Sequence, residues 1–357
     1  MATTNTYHPN LSQFSEGSRN FVINIDGTGN SLSDATEKGS DVTNVVRFHG
    51  AIDDSGHEQH SLYFAGVGTT ETNGGFVREL FGKAFGAGAH RLRDTAYVAL
   101  VEQYRPGDRI FITGFSRGAA VARMLANLIH EQGIPESITI TRSPDGQVTD
   151  FETHGRKKRV KIEMLGVWDT VAAIGIPVNL AGIPFQKINL FSDLTVARNV
   201  KRAVHLVSVD ENRDAFTPAL MNYEPNRIEE IWFPGVHADV GGGYDFRRLA
   251  DITLEFMIDK ARRLGLEFDP DILSEIVPNP DGLGFLHRHP ERPGDYKLSP
   301  RKLQVMKNGK GIKTVPIKLH ESIFRRKETL TRQRYNPANV KKAMGQMFKI
   351  VDRDILD

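Results

Sequence analysis

A strand, a sharp turn and a helix follow one another about a third of the way along the chain, and they constrain the fold more than any other segment. Residues 110–112 form a β-branched and aromatic run typical of a buried strand. Residues 114–118 read Gly-Phe-Ser-Arg-Gly, and residues 119–129 have the small and aliphatic composition of a helix that lies close to a sheet and stops near Gly133. A G-x-S-x-G turn in this setting is typical of a nucleophile elbow, which makes Ser116 the candidate nucleophile.

The rest of the chain has to support that interpretation. Three fixed Gly and Ser positions arise by chance in roughly one chain in ten of this length. The alternative is an ordinary glycine-flanked turn.

Apolar runs and amphipathic segments alternate over most of the chain. Predicted strands lie at 21–25, 61–65, 110–112, 162–168, 203–209 and 228–233. Predicted helices begin near Asp41 or Thr43 and lie at 90–104, 119–129 and 252–264. This alternation predicts a mainly parallel sheet with helices on both faces, and an elbow on the third of six strands is typical of the α/β-hydrolase fold.

Three regions follow from this pattern. Residues 1–20 are a polar N-terminal segment, residues 21–268 are the expected catalytic domain, and residues 269–357 are a basic C-terminal extension. The extension is rich in Pro, Gly and charge up to residue 315, so it forms either a lid or a part of the same domain. The polar, basic stretch 141–160 is expected to be a surface insertion or an exposed hairpin.

Composition excludes several kinds of chemistry. The chain has no cysteine, which rules out disulfides, thiolate nucleophiles and thiolate metal sites. It contains no dinucleotide- or phosphate-binding glycine motif after a strand and no cluster of metal ligands, so we expect neither a cofactor nor a metal. It also lacks a secretory signal and a run of about 18 apolar residues. We therefore expect cytoplasmic synthesis, with any export by a signal-independent route.

Charge is unevenly distributed. Residues 299–357 hold 15 Lys and Arg against 5 Asp and Glu, whereas the other residues hold 31 against 39. A basic region of this kind can meet an anionic membrane surface. The alternatives are a solvated face or a contact with the acidic body, and we expect no nucleic-acid partner.

A serine nucleophile needs a histidine base and a carboxylate that holds the histidine. In α/β hydrolases the acid and then the histidine follow the serine along the chain. His237 comes after the strand at 228–233, in a glycine-rich loop, and is the natural base. The candidate acids also follow predicted strands: Asp169 is the first choice, Asp210 the second and Asp239 the third.

An oxyanion formed at the elbow needs two backbone N–H donors. One is expected from Arg117, the residue after the serine. The other is expected from the loop after the first strand, at Gly27 and Thr28, where glycines allow a close approach. The alternative for this loop is a plain turn.

Four segments together resemble a known family. Residues 26–30 read Asp-Gly-Thr-Gly-Asn, and the other three segments are 114–119, 166–171 (Gly-Val-Trp-Asp-Thr-Val) and 237–244 (His-Ala-Asp-Val-Gly-Gly-Gly-Tyr). In this order they resemble the catalytic domain of the type VI secretion phospholipase effectors, which are α/β hydrolases. The resemblance implies a Ser-Asp-His triad on Ser116, Asp169 and His237, and a phospholipid or another carboxylic ester as substrate.

The sequence therefore predicts a serine carboxyl-ester hydrolase, of phospholipase or lipase type, that works through an acyl-enzyme. Two alternatives stay open. The fold could serve as a non-catalytic interaction or delivery module, or the acyl group could pass to an acceptor other than water.

Overall fold

An eight-stranded parallel sheet is the centre of the fold. The computed structural model describes residues 2–11, 19–27, 42–56, 58–66, 83–171, 173–174, 188–189, 195–277, 280–287, 298–329 and 335–352. The strands of the sheet, in chain order, are β2 (Asn20–Ile25), β3 (Gln59–Phe64), β4 (Arg109–Phe115), β7 (Ile162–Trp168), β10 (Val200–Ser208), β11 (Ile228–Phe233), β14 (Ile317–His320) and β15 (Phe348–Val351). Their spatial order is β15-β14-β11-β10-β7-β4-β2-β3, and each neighbouring pair is parallel.

Helices cover both faces of this sheet, which is why all six residues of β2 are buried. On one face, α2 (Lys83–Gln103) and α3 (Ser116–Gln132) pack against the strands. On the other face lie α1 (Asn44–Gly50) and α5 (Arg248–Arg262). Parallel strands covered on two sides confirm the α/β-hydrolase expectation.

The predicted helix starts differ from the observed ones by a few residues. Thr43 caps α1, since its hydroxyl accepts a hydrogen bond from the Val46 amide at 3.3 Å. The alternative cap, Asp41, lies outside the described residues. Helix α3 ends at Gly133, which has a φ of 57° that suits glycine.

A second, antiparallel sheet lies beside the first. Its strands are β1 (Thr3–Tyr7), β5 (Ile134–Arg142) and β6 (Val148–Lys158), in the order β1-β5-β6. The hairpin expected in 141–160 is therefore confirmed, although it begins earlier along the chain. Two short pairs complete the described strands: β8 (Ala173–Ile174) with β9 (Ile188–Asn189), and β12 (Val305–Lys307) with β13 (Lys310–Ile312).

All six predicted strands are present in the sheet, and the C-terminal extension adds two that were not predicted, β14 and β15. Each has only four residues, and charged residues interrupt their apolar runs, so periodicity over a longer window misses them. The same extension carries α6 (Pro270–Ile276), α7 (Ser322–Thr329) and α8 (Ala338–Met344). A lid formed by 269–315 stays a prediction. None of the helices in the described ranges is long and apolar enough to cross a bilayer.

Candidate active site

Ser116 occupies the turn between β4 and α3. Its φ of 57° lies in the left-handed region that a residue other than glycine adopts only when the surrounding structure holds it there. The turn is tight: a Cβ at Gly118 would lie 2.2 Å from the carbonyl oxygen of Asp26. Glycine at 118 therefore lets the elbow approach the end of β2, and the strained serine presents its Oγ at the carboxyl edge of the sheet.

Three side chains meet at this edge. The Nε2 atom of His237 lies 2.8 Å from Ser116 Oγ, and its Nδ1 atom lies 2.5 Å from Asp169 Oδ2. Asp169 directly follows β7, and His237 follows β11 and begins the short helix α4 (His237–Gly241). The structure thus brings together the three residues that the sequence nominates, from the ends of three different strands. His237 and Asp169, which share a hydrogen bond, are 68 positions apart in the chain.

Asp169 is completely buried and has a φ of 39°. Its Oδ1 atom accepts a hydrogen bond from the Ser208 amide at 2.9 Å and another from Arg301 Nη1 at 2.5 Å. Burial by itself raises the pKa of Asp169, but the charge of Arg301 and the hydrogen bonds from His237 and Arg301 outweigh it and hold that pKa well below its usual range. Asp169 is therefore a carboxylate at any working pH.

The imidazole of His237 lies between two aromatic rings. Its centroid is 4.6 Å from that of Phe115 and 5.0 Å from that of Phe216. Burial lowers the pKa of His237; Asp169 and Glu211 oppose this effect, and Arg301 adds to it. The ring is therefore neutral at neutral pH, with a proton on Nδ1 that Asp169 accepts and a lone pair on Nε2 that faces the serine.

Arg301 is the site residue that sequence reasoning missed. Its guanidinium contacts both oxygens of Asp169, yet the two residues are 132 positions apart in the chain. No motif or periodic pattern surrounds Arg301, and one arginine among the many basic residues of 299–357 gives no local signal.

The second and third choices for the acid lie elsewhere. Asp210 Oδ2 accepts hydrogen bonds from the Gly235 amide at 2.7 Å and from the Tyr335 hydroxyl at 2.8 Å. Burial raises the pKa of Asp210 to about 6. Asp239 accepts a bond from the Val236 amide at 3.0 Å and so caps α4. Among the described contacts, Asp169 is the carboxylate bonded to the His237 ring, and the other two brace the loop that carries it.

The expected oxyanion loop begins at the end of β2. Asp26 is buried, and its Oδ1 atom accepts a 2.6 Å hydrogen bond from the Gly27 amide. That amide is thus engaged with Asp26 in this structure, and Thr28 lies outside the described residues. Arg117 is in the first turn of α3, and burial lowers its pKa to about 9. The oxyanion roles of Arg117, Gly27 and Thr28 stay predictions. Among the described residues there is no group of three or more carboxylate or imidazole side chains that could hold a metal ion.

The sheet is parallel, a strained serine follows its third strand, and an aspartate and a histidine lie at later strand ends. These features define the protein as an α/β hydrolase. The family described as the type VI secretion system phospholipase effector Tle1-like catalytic domain matches residues 19–145 and 136–260. The chain belongs to this family.

Two solved structures and one curated protein are similar to the chain. An uncharacterized protein from Pseudomonas aeruginosa superposes with a TM-score of 0.52 and 22% identity, over 72% of this chain and 48% of that one. The Tle1 effector bound to the VgrG spike of the type VI secretion system superposes with a TM-score of 0.50 and 18% identity, over 76% of this chain and 78% of that one. An uncharacterized protein from Saccharomyces cerevisiae is 25% identical over 240 residues, which are 58% of this chain and 33% of the yeast protein. The chain thus spans less than half the length of two of these relatives.

Proposed function

We propose that the protein is a serine carboxyl-ester hydrolase that acts on phospholipids. One observation carries the proposal: the unbroken chain of hydrogen bonds from Ser116 Oγ through the His237 ring to Asp169. A serine hydroxyl becomes a competent nucleophile when such a base accepts its proton. A non-catalytic module would have no need to hold Ser116 in a strained backbone conformation against a buried, neutral imidazole.

The chemistry follows from the geometry. Ser116 Oγ bonds to the acyl carbonyl carbon while its proton moves to His237 Nε2, and Asp169 stabilises the imidazolium that forms. The bond from carbon to the leaving alcohol then breaks, and the imidazolium gives its proton to that alcohol oxygen. Water attacks the acyl-enzyme next: one water proton passes to His237, the acyl–Ser116 bond breaks, and the serine oxygen recovers the proton as the carboxylic acid leaves.

Two observations support a lipid substrate. The family is one of phospholipase effector-like domains. In addition, Phe246 and Phe285 are 66% and 60% exposed, and their rings lie 5.5 Å apart. Phe285 also packs at 4.9 Å on His287, which is bonded to Asp239 in the loop of the catalytic histidine. An exposed aromatic pair joined to the active-site loop suits contact with lipid.

Peripheral contact with an anionic membrane through residues 299–357 is a further part of the proposal. Several cationic side chains of that segment are hydrogen-bonded to other parts of the protein. Arg301 donates to Asp169, Lys318 to Glu229 and Arg326 to backbone carbonyls. Other residues of the segment are exposed. They include Lys341 and Lys342 on α8, Lys349 and Ile350 on β15, and Met347 between these two elements. Basic and apolar side chains mixed in this way suit the surface of an anionic bilayer.

The solved Tle1 effector is bound to a VgrG spike. By likeness to it, we infer that this protein reaches its substrate by a signal-independent secretion route. Acyl transfer to another alcohol uses the same acyl-enzyme, and product analysis with and without an added alcohol distinguishes it from hydrolysis.

The first test is intact-mass labelling with a fluorophosphonate, together with hydrolysis of a phospholipid panel. We expect the wild type to gain one label and Ser116→Ala to gain none. Ser322→Ala is the matched control, because Ser322 Oγ also bonds to a histidine, His320 Nδ1, at 2.8 Å but lies outside the triad. Equal labelling of the wild type and Ser116→Ala, or no ester hydrolysis by the wild type in the presence of vesicles, would contradict the proposal.

A further inference from the structure

Arg301 makes several hydrogen bonds next to the triad. It is 5% exposed, and both of its terminal nitrogens contact Asp169: Nη1 lies 2.5 Å from Oδ1 and Nη2 lies 2.9 Å from Oδ2. A guanidinium that faces a carboxylate with two parallel N–H groups fixes the plane of the carboxylate as well as its charge. That plane decides where Oδ2 points, and Oδ2 is the atom that accepts the proton of His237 Nδ1.

The same guanidinium also holds the loops around the triad. Nη1 donates to the carbonyl oxygen and the hydroxyl of Ser208 at 3.0 and 2.8 Å, at the end of β10. Nη2 donates to the carbonyl oxygen of Phe216 at 2.5 Å, and the ring of Phe216 packs edge-on against His237. Arg301 thus contacts both the acid that bonds to the imidazole and the backbone of the aromatic residue that packs against it.

The segment that carries Arg301 is anchored on both sides. The Ser299 amide donates to the Asn212 carbonyl at 2.6 Å, and Leu298 forms a bridge with Arg213. Leu303 is 3% exposed and packs in the hydrophobic cluster around β14. A side chain held by a rigid backbone can position its partner with the accuracy that catalysis needs.

The charges near His237 make the role of Arg301 specific. The groups that act on the imidazole are Asp169, Glu211 and Arg301, and Glu211 is itself paired with Arg213 at 2.8 Å. Asp210 provides an internal comparison, because it accepts hydrogen bonds from two neutral donors, the Gly235 amide and the Tyr335 hydroxyl, and burial raises its pKa to about 6 although the charge of Arg326 opposes the rise. Asp169 has the arginine, and its pKa stays well below the usual range.

We propose that Arg301 is a positioning residue of the active site: its guanidinium fixes the Asp169 carboxylate toward His237, and its positive charge disfavours the imidazolium in the resting enzyme. The C-terminal segment thereby becomes part of the catalytic centre. The inference rests on the proposed function, because it assigns a role within the same triad. Arg301 does not contact the reacting atoms, and it acts through Asp169 and His237.

The test measures kcat/KM against pH with a soluble short-chain ester for the wild type, Arg301→Gln and Arg301→Lys. In Arg301→Gln we expect kcat/KM to fall about 10- to 100-fold, the range for a lost hydrogen bond to a charged group. The acidic limb of its profile of kcat/KM against pH should also move to higher pH, because the positive charge of Arg301 no longer repels the His237 imidazolium. Arg301→Lys keeps the charge but loses the two-pronged contact, so its limb should stay near that of the wild type while kcat/KM falls.

Arg326→Gln is the matched control. Arg326 is a second buried arginine of the same segment, 4% exposed, and it donates to the carbonyls of Gly282 and Gly284 rather than to the triad. We expect this variant to lose stability without a shift of the acidic limb. A folded Arg301→Gln with an unchanged profile overturns the proposal, and so does an equal shift in both variants.

Two further readouts keep the test decisive. If Arg301→Gln does not fold, a kcat/KM of Arg301→Lys equal to that of the wild type overturns the positioning role. An NMR titration of the His237 imidazole reports its pKa without turnover, and we expect that pKa to be higher in Arg301→Gln than in the wild type. Absence of hydrolysis in the wild type would then overturn the proposed function alone, whereas an unshifted titration would overturn the role of Arg301.

Discussion

Asp239 Oδ1 and His287 Nδ1 lie 2.5 Å apart, and this contact joins the loop that carries His237 to the segment 280–287. Asp239 is two residues beyond His237, and its other oxygen accepts the Val236 amide at the start of α4. The ring of His287 stacks on that of Tyr244 at 3.9 Å. One carboxylate therefore connects the helix that begins at His237 to a separate aromatic segment.

Substitution of His287 by alanine should loosen this connection. We expect kcat/KM on a soluble ester to fall several-fold and the free energy of unfolding to drop by about 1–3 kcal/mol, since buried Asp239 loses a charge-assisted partner. Urea denaturation and steady-state kinetics measure the two effects. His154→Ala, on the outer strand β6, is the control, and an equal loss of activity there would contradict this reading.

The close approach at the elbow predicts a strong effect of one methyl group. Gly118→Ala would place a Cβ against the Asp26 carbonyl, so we expect at least about 1–3 kcal/mol of destabilisation and loss of serine labelling. Gly50→Ala, in the last turn of α1, meets nothing within 4 Å and should leave both unchanged or slightly raise stability. Thermal unfolding together with fluorophosphonate labelling decides; wild-type labelling in Gly118→Ala would show that the elbow can relax.

The pKa of His237 predicts how wild-type activity depends on pH. Because burial lowers that pKa below 6.5, the neutral and active ring persists below pH 6.5, and activity is lost only as the pH falls through the lowered value. A profile of kcat/KM against pH measures this limb. A midpoint above 6.5 would contradict the prediction.

Asp169→Asn should reduce kcat by about 10⁴, the loss found when a triad carboxylate is replaced by its amide.

A buried ion pair joins the two helices on one face of the sheet. Arg47 of α1 and Asp251 of α5 form a direct salt bridge, and they are 3% and 1% exposed. Arg47→Met should lower the free energy of unfolding by about 3–5 kcal/mol, because it removes the direct partner of a buried carboxylate and leaves only the longer contact of Asp251 with Arg247 at 3.9 Å. The double variant Arg47→Met with Asp251→Leu should recover most of that loss in urea denaturation. A double variant as unstable as the single one would argue against an unpaired charge as the cause.

The exposed aromatic pair predicts a difference between two kinds of substrate. Phe246→Ser should lower the rate on phospholipid vesicles about tenfold or more. An aromatic side chain that passes from water into the bilayer contributes roughly 1.5–3 kcal/mol to membrane binding. The rate on a soluble short-chain ester should be unchanged. Val315→Ser, in the loop before β14, serves as the control. Equal losses on both substrates would assign Phe246 to the stability of the fold instead.

Local patterns in the sequence predicted six of the eight strands of the central sheet and nominated Ser116, Asp169 and His237, because each of these residues comes shortly after a strand of six or seven residues. Parallel strands end at one edge, so their following residues could be expected to meet there. Arg301 follows no such strand, and its role depends on a contact that only the folded chain creates. Strands β14 and β15 were missed for a related reason: four residues carry too little periodic signal, and pairing with β11 and with each other defines them.

The order in which the chain is made gives the position of Arg301 a further meaning. Protein synthesis runs from the N-terminus, and domains fold as their residues emerge. A nascent chain that has reached α6 already contains Ser116, Asp169 and His237, but it has neither Arg301 nor the two outermost strands on one side of the sheet. Under the role proposed for Arg301, the site therefore gains its full set of contacts only after Arg301 has been synthesised, later than the three residues that this guanidinium helps to position.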